Sequence, residues 1–374
     1  MHITEPRPDA HAPTRAMSSS KRLSLTVKAE TIPLKEPFRI SGFTFEAVNL
    51  AIVELRQGPW LGRGEASGVY YFNEDAQSMG AAIEAVRAEI EAGITREALA
   101  QLLPPGGARN AVDCALWELE ARRAGWPVWM LAGVGEPTPK VTTFTLSAES
   151  PEHMAQAAMG FRRARALKLK LTGVDPALDA ERVRAVRAVR PDVWLGVDGN
   201  QGFTPDRLEA LTSALVDCRV ELVEQPFPRG CEAWMAGLDY PIATAADESV
   251  QGLEDLEGLT DFDVVNIKLD KCGGLTEALE MARLARRMGL GVMVGNMVGT
   301  SWAMAPAFVV GQLCDIVDLD GPVVLRRDRL THIAYRGGRI HCDDAVWGAP
   351  EAPMSRRPRP FASRWGSHAP DQKI

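Results

Sequence analysis

The sequence is poor in the features that mark secreted, membrane-spanning or nucleic-acid-binding chains. Its six cysteines (114, 218, 231, 272, 314 and 342) are scattered and no two form a CxxC pair. In a chain of 374 residues with 46% hydrophobic content, enough to fill a core, they read as reduced thiols of a cytoplasmic protein. No apolar run is long enough to cross a membrane. The opening MHITEPRPDAHAPTRAMSSSKR lacks the apolar segment of a secretory signal. Positive charge is not in excess either. The formal net charge is −7, which argues against nucleic acid as a partner and for a small-molecule substrate. The one basic run, ERVRAVRAVR (181–190), carries Val183, Val186 and Val189 at helical spacing and reads as a solvated amphipathic helix. Finally, no GxGxxG follows the first β-like run, which counts against a dinucleotide fold.

What is present is a change of pattern along the chain. Residues 1–22 read as a disordered leader. From 23 to 137 an α+β unit is expected: LSLTVKAETI, AVNLAIVEL and WLGRGEA alternate like strands, and residues 74–134 have helical spacing with a stop near Gly125. From 138 to 322, short β-like runs start at residues 141, 166, 193, 220, 242, 264, 291 and 316, at intervals of 22 to 27 residues. Helix starts fall between them, with Ser150–Pro151 and Thr204–Pro205 as cap and first turn. Eight strands at this spacing predict an α/β fold, a parallel barrel with helices outside. Residues 323–350 are expected to return to the first unit, and 351–374, rich in proline and arginine, to be irregular.

Barrel enzymes place their sites at the C-terminal ends of the strands. Those ends carry Lys168 and Lys170 in RALKLKLTG, then Asp198, Glu224, and Asp247 with Glu248. Asn266 with Lys268 and Asp318 with Asp320 complete the ring. Residues two apart in a strand share a face, so Lys168 and Lys170 point together while Leu167, Leu169 and Leu171 point away. A lone lysine or aspartate at a strand end is ordinarily an edge or turn residue, and Glu248 is read that way because it alternates with Asp247. Charges on this many adjacent apolar strands are harder to dismiss, since buried charges must be paired or bind metal. Three carboxylates with no histidine or cysteine pattern nearby favour Mg²⁺ over Zn²⁺. A lysine whose proton affinity is lowered by burial and a neighbouring cation can act as a base. Lysines on the second and sixth strands would face each other across a reacting carbon.

LKLK, VDGNQG, VEQP, ADES, NIKLDKCGG and VGNMVGT, taken together, resemble the enolase superfamily in its muconate-lactonizing-enzyme subgroup. The resemblance implies a modified (β/α)7β TIM barrel with an N-terminal α+β capping domain. It implies Asp198, Glu224 and Asp247 as ligands of one Mg²⁺ per subunit, and Lys170 and Lys268 as the acid/base pair. Lys168 would support a substrate carboxylate, with Thr145 and Met297 also in the substrate site. A homo-oligomer is the expected assembly. Branches of the superfamily that use a histidine base do not fit. His2, His11, His153, His332, His341 and His368 all lie away from the ends of strands two to eight.

DLDGP resembles the DxD of dipeptide epimerases, in which two carboxylates hold the substrate's α-ammonium; here these are Asp318 and Asp320. Muconate, a dianion, would be repelled by them, and an N-acylamino acid has no ammonium to offer. Epimerisation of a dipeptide at the α-carbon of its C-terminal residue is therefore the reading preferred. Muconate cycloisomerase and N-acylamino acid racemase/o-succinylbenzoate synthase remain the alternatives on the same scaffold. In the first capping loop, FRISGFTFE, the arginine that Ala-Glu epimerases use has no clear counterpart. Phe43 and Phe45 stand there instead, which suggests an apolar or aromatic second residue.

Overall fold

A computed structural model of the chain describes residues 22–236, 240–259 and 261–350. The expected leader, Arg22 apart, and the expected C-terminal tail lie outside the described residues.

The chain begins as a three-stranded antiparallel sheet, β1 (Ser24–Ile40), β2 (Phe43–Gln57) and β3 (Trp60–Ala66), in the order β1-β2-β3. The expected loop FRISGFTFE is instead the closed end of one long hairpin. Phe38, Arg39 and Ile40 pair with Phe45, Thr44 and Phe43, and only Ser41 and Gly42 form the turn. Gly42 sits at φ 76°, the left-handed conformation a two-residue hairpin turn needs. Further down, the register shifts between Pro33 and Phe38, where prolines cannot donate to the ladder.

Helices α1 (Ala76–Ala85), α2 (Arg87–Glu91), α3 (Arg96–Leu102), α4 (Gly107–Ala124) and α5 (Val128–Leu131) follow. Val53, Leu55 and Ala66 of the sheet close a core with Met79, Ile83, Leu99, Val112 and Leu119. The approach of β3 to α4 depends on glycine: a Cβ on Gly64 would stand 1.8 Å from the Ala111 carbonyl oxygen. Helix α4 stops where the sequence suggests, at Gly125 in the left-handed conformation.

The second half is an eight-stranded parallel sheet. Its strands are β5 (Thr143–Leu146), β6 (Ala166–Lys170), β7 (Trp194–Asp198), β8 (Leu222–Glu224), β9 (Ala243–Ala246), β10 (Val264–Ile267), β11 (Gly291–Val294) and β12 (Ile316–Val317). Each pairs with its sequence neighbour, and the two edges meet: Leu319 N donates to Thr142 Oγ1 over 3.0 Å. The short β4 (Lys140–Val141) precedes them.

Outside lie α6 (Pro151–Gly160), α7 (Pro176–Val189), α8 (Pro205–Asp217), α9 (Leu269–Cys272), α10 (Leu275–Arg287), α11 (Ser301–Gly311) and α12 (Gly321–Val324). The two shortest strand-to-strand intervals are those where a 3-10 turn, Glu232–Trp234 or Leu253–Gly258, replaces the α-helix. Ser150 caps α6 as expected, but Thr204, at the start of α8, makes no side-chain cap bond.

The basic face of α7 is less solvated than its spacing suggests. Arg190 is buried and donates to the carbonyls of Ala158, Phe161 and Ala164 at the end of α6, while Arg187 donates to Cys218 and Arg219 after α8. Carbonyls left open at helix ends recruit these guanidinium groups. The chain then returns along the first sheet, where Arg326 N donates to Pro33 O over 3.0 Å, and forms the hairpin β13 (Ala334–Arg336) and β14 (Arg339–His341).

Candidate active site

The alternation in β6 is as the sequence predicts. Leu167, Leu169 and Leu171 pack in the outer core, and Lys168 and Lys170 turn to the barrel interior, both buried. The parallel register sets Lys170 beside Asp198 and Asp198 beside Glu224, so successive strands end on ionisable groups at one level. Asp247 follows two residues after Ala245, which pairs with Glu224. All three carboxylates are essentially inaccessible.

Each carboxylate holds a cation. Lys170 Nζ lies 2.5 Å from Asp198 Oδ2, Lys268 Nζ 2.6 Å from Asp247 Oδ2, and Lys168 Nζ 3.2 Å from Glu224 Oε2. Lys168 also donates to Asp318, which in turn accepts from Thr143 Oγ1. Asp320 accepts from the backbone N of Thr145 at 2.6 Å. Among the described residues no three carboxylates stand close enough to form a ready-made cation cage. The oxygens of Asp198, Glu224 and Asp247 are turned to lysines instead.

Two residues that sequence reasoning set aside or passed over, Glu248 and Lys271, join this ring beside Asn266, which it had placed there. Glu248, read as a turn residue, is buried and lines the same cavity as Asp247. Strand alternation stops applying because β9 ends at Ala246. Lys271 is buried and donates to Asp247 Oδ1 over 2.6 Å and to the Asn266 carbonyl over 3.0 Å. It reaches them because a helical turn, α9, starts directly after Lys268. Asn266 donates to Glu224 Oε1 over 2.8 Å. The pairing of Asn266 with Lys268 at alternate positions in one strand was the available signal for its inward direction.

The buried set comprises Lys168, Lys170, Lys268 and Lys271 against Asp198, Glu224, Asp247, Glu248, Asp318 and Asp320. If all were ionised, two negative charges would be left over. The imbalance is visible in proton affinities. Burial, then the charge of Asp198, pushes Glu224 up to about 7; burial, then Asp247, pushes Glu248 up to about 8. Burial and Asp318 push Asp320 up to about 6. Burial alone would also raise Asp247, but Lys268 and Lys271 outweigh it and hold that carboxyl well below its usual range.

At Lys268 the expected lowering of proton affinity by burial meets opposing charges. Burial acts in that direction on Lys268, yet Asp247 and Glu224 reverse it and hold the ammonium protonated. Lys271 is lowered, by burial.

A cavity of about 210 Å³ opens onto Lys170, Lys268, Asp247, Glu248 and Met297. Leu34, Phe38, Ile40, Phe45, Val48 and Val298 give it an apolar stretch of wall beside Asn49, Glu74 and Asp75, and among the described residues no arginine lines it. Phe43 does not reach the cavity. It is half-exposed and packs on Tyr70 with ring centroids 4.5 Å apart. Thr145 lines a neighbouring cleft rather than this cavity.

A parallel barrel with buried ionisable groups gathered at the C-terminal strand ends, covered by a separate sheet-and-helix unit, has the layout of a TIM-barrel enzyme. More specifically, the chain belongs to the enolase superfamily. Residues 22–133 match the mandelate racemase/muconate lactonizing enzyme N-terminal domain, and residues 151–345 match the enolase C-terminal domain-like family. Its similar proteins include the L-Ala-D/L-Glu epimerase of Escherichia coli, 37% identical over 84% of this chain and 99% of that protein. Among solved structures, an enolase family member from Agrobacterium tumefaciens with homology to dipeptide epimerases, with bound sodium and L-Ala-L-Glu, superposes with a TM-score of 0.84. It is 38% identical and covers 87% of this chain and 100% of its own. A dipeptide epimerase from Enterococcus faecalis, complexed with Mg and L-Leu-L-Tyr, has a TM-score of 0.79 at 28% identity, covering 89% of this chain and 98% of its own. The chain is thus an enzyme of the dipeptide-epimerase type, an isomerase acting on amino acid derivatives. No helix among the described residues is long and apolar enough to cross a membrane.

Proposed function

We propose that this chain is a Mg²⁺-dependent dipeptide epimerase. It inverts the α-carbon of the C-terminal residue and prefers an apolar or aromatic residue there. The observation that carries the reaction is the placement of Lys170 and Lys268. Strands β6 and β10 are four places apart in an eight-strand barrel, so the two ammonium groups approach one cavity from opposite sides. One lysine takes the α-proton, the C–H electron pair moves into the substrate carboxylate to give an enolate, and the other lysine returns a proton to the opposite face. Such transfer requires one lysine neutral and one protonated at the start, and the roles exchange on reversal.

The donor set fits one divalent cation per subunit. Asp198, Glu224 and Asp247 are hard oxygen donors, which suit Mg²⁺. Asn200 Oδ1, Glu248 Oε2 and Asn266 Oδ1 are buried acceptors without a donor among the described residues, and the buried set carries surplus negative charge. When bound there, the cation would offset the field that keeps Lys268 protonated and stabilise charge developing on the substrate carboxylate. Lys168 sits between Glu224 and Asp318, where it can support that carboxylate. Asp318 and Asp320 lie beside it and give the dipeptide's ammonium a negative partner.

The apolar stretch of that wall supports the preference for the second residue, since a buried glutamate side chain would find no arginine there among the described residues. Incubating L,L-dipeptides with the protein and Mg²⁺ in D₂O, and reading α-deuterium by mass, tests both parts. Exchange into Ala-Phe or Ala-Leu above Ala-Glu is expected. A strong preference for Ala-Glu ends the specificity proposal, and exchange into N-acylamino acids alone ends the epimerase reading.

A further inference from the structure

Gln225 follows Glu224 directly, yet its side chain serves the next strand. The backbone turns there: Gln225 has φ 35°, in the left-handed region that residues other than glycine adopt only when their surroundings enforce it. The surroundings are explicit. Gln225 N donates to Ala245 O over 2.8 Å, and Gln225 O accepts from Gln201 N over 2.9 Å, so the turn is tied to the strand on either side.

The buried side-chain amide is fully used. Its Oε1 accepts from Asp247 N at 2.8 Å and Ser249 N at 3.1 Å, and its Nε2 donates to Phe227 O and Ser249 Oγ, each at 2.8 Å. An amide offers two donors and two acceptor positions, and all four are occupied. Beyond it, Ser249 Oγ donates to Glu232 Oε1 over 2.6 Å. Strand β9 has ended at Ala246, so no ladder bond from β8 fixes the backbone of Asp247; the amide of Gln225 takes that place.

We infer that Gln225 is a positioning residue for the cation site: it sets the distance and direction of Asp247 relative to Glu224. This rests on the proposed reading of Asp198, Glu224 and Asp247 as the Mg²⁺ ligands. A merely buried, satisfied glutamine would matter for folding alone. This one joins the residue after one proposed ligand to the backbone N–H of another, and the left-handed turn aims it there.

The test uses metal affinity, not activity. Purified full-length protein is titrated with Mn²⁺, and free Mn²⁺ is read by electron paramagnetic resonance. Gln225→Gly keeps the left-handed turn without strain and loses the amide, and its dissociation constant for Mn²⁺ is expected to weaken by about 10- to 100-fold. Gln225→Glu keeps an acceptor oxygen for Asp247 N and is expected to recover most of that loss. Metal-free circular dichroism and melting confirm that each variant is folded. Should Gln225→Gly not fold, Gln225→Glu carries the test together with Ser249→Ala, which spares the bond to Asp247 N and is expected to stay within about threefold of wild type. A folded Gln225→Gly with wild-type affinity, or a Gln225→Glu weakened by more than about tenfold while Ser249→Ala is unchanged, overturns the inference. Absence of Mn²⁺ binding by the wild-type protein instead overturns the cation reading on which it rests.

Discussion

Asp247 shares its two carboxylate oxygens between two lysines, Lys268 in front of it and Lys271 behind. The lysine that faces the cavity is the one proposed to move protons, and Lys170 is its counterpart on the other side. Replacing either Lys170 or Lys268 with alanine should lower formation of the epimer by at least about 10²-fold, while Mg²⁺ still raises the melting temperature. Normal turnover in either variant would remove the two-lysine reading. At this scale the sequence was informative wherever strand periodicity held, as for Lys168, Lys170, Asn266 and Lys268. It misjudged Glu248, because periodicity ends with the strand at Ala246, and it passed over Lys271, because nothing local announces a single helical turn after Lys268.

Helix α4 holds the first unit together on one side and ties it to the barrel on the other. Strand β3 lies so close to α4 that a side chain at Gly64 has nowhere to go but into the Ala111 carbonyl. Gly64→Ala should therefore destabilise the protein by about 1–3 kcal/mol in denaturant titration, as overpacking does. From the same helix, the Asp113 carboxylate accepts from Thr276 N over 3.0 Å and Thr276 Oγ1 over 2.6 Å, so it caps the first turn of α10 in the barrel.

Burial raises Asp113 to about 6, above its unfolded value near 3.8. The folded form then holds its proton more tightly, so the stabilisation is complete below the unfolded value and is lost as pH rises through about 6. Asp113→Asn should remove this component. Its stability relative to wild type should improve between about pH 4 and 6, which melting curves across that window can check. An unchanged difference across the window would contradict the assignment.

For the whole molecule, the buried site is a stability problem that a ligand can solve. Six carboxylates and four ammonium groups are enclosed between a barrel and its cover, and several carboxyls are pushed toward protonation by burial and crowding. A cation that binds only the folded form stabilises it by mass action, about 2.7 kcal/mol at one hundred times its dissociation constant. Added Mg²⁺ should raise the melting temperature and a chelator should reverse the shift. Asp247→Asn should lose most of the response. A melting temperature indifferent to Mg²⁺ would argue against the site.

Local sequence dictates the barrel and its eight strand ends, because the spacing of β-like runs and the helix caps between them is a local property of the chain. It also marked the three carboxylates and the opposed lysines, because a charge on an apolar strand stands out without any structure. The fold in space settles which groups share which oxygen, since that depends on strands far apart in the chain coming into register. It turned FRISGFTFE from a loop into a hairpin end, set Phe45 but not Phe43 on the cavity wall, and bent the chain at Gln225 so that its amide could reach Asp247. Strand periodicity carries direction only as far as the last paired residue. Beyond it, packing against neighbouring strands decides where a side chain points, and that is where much of this site lies.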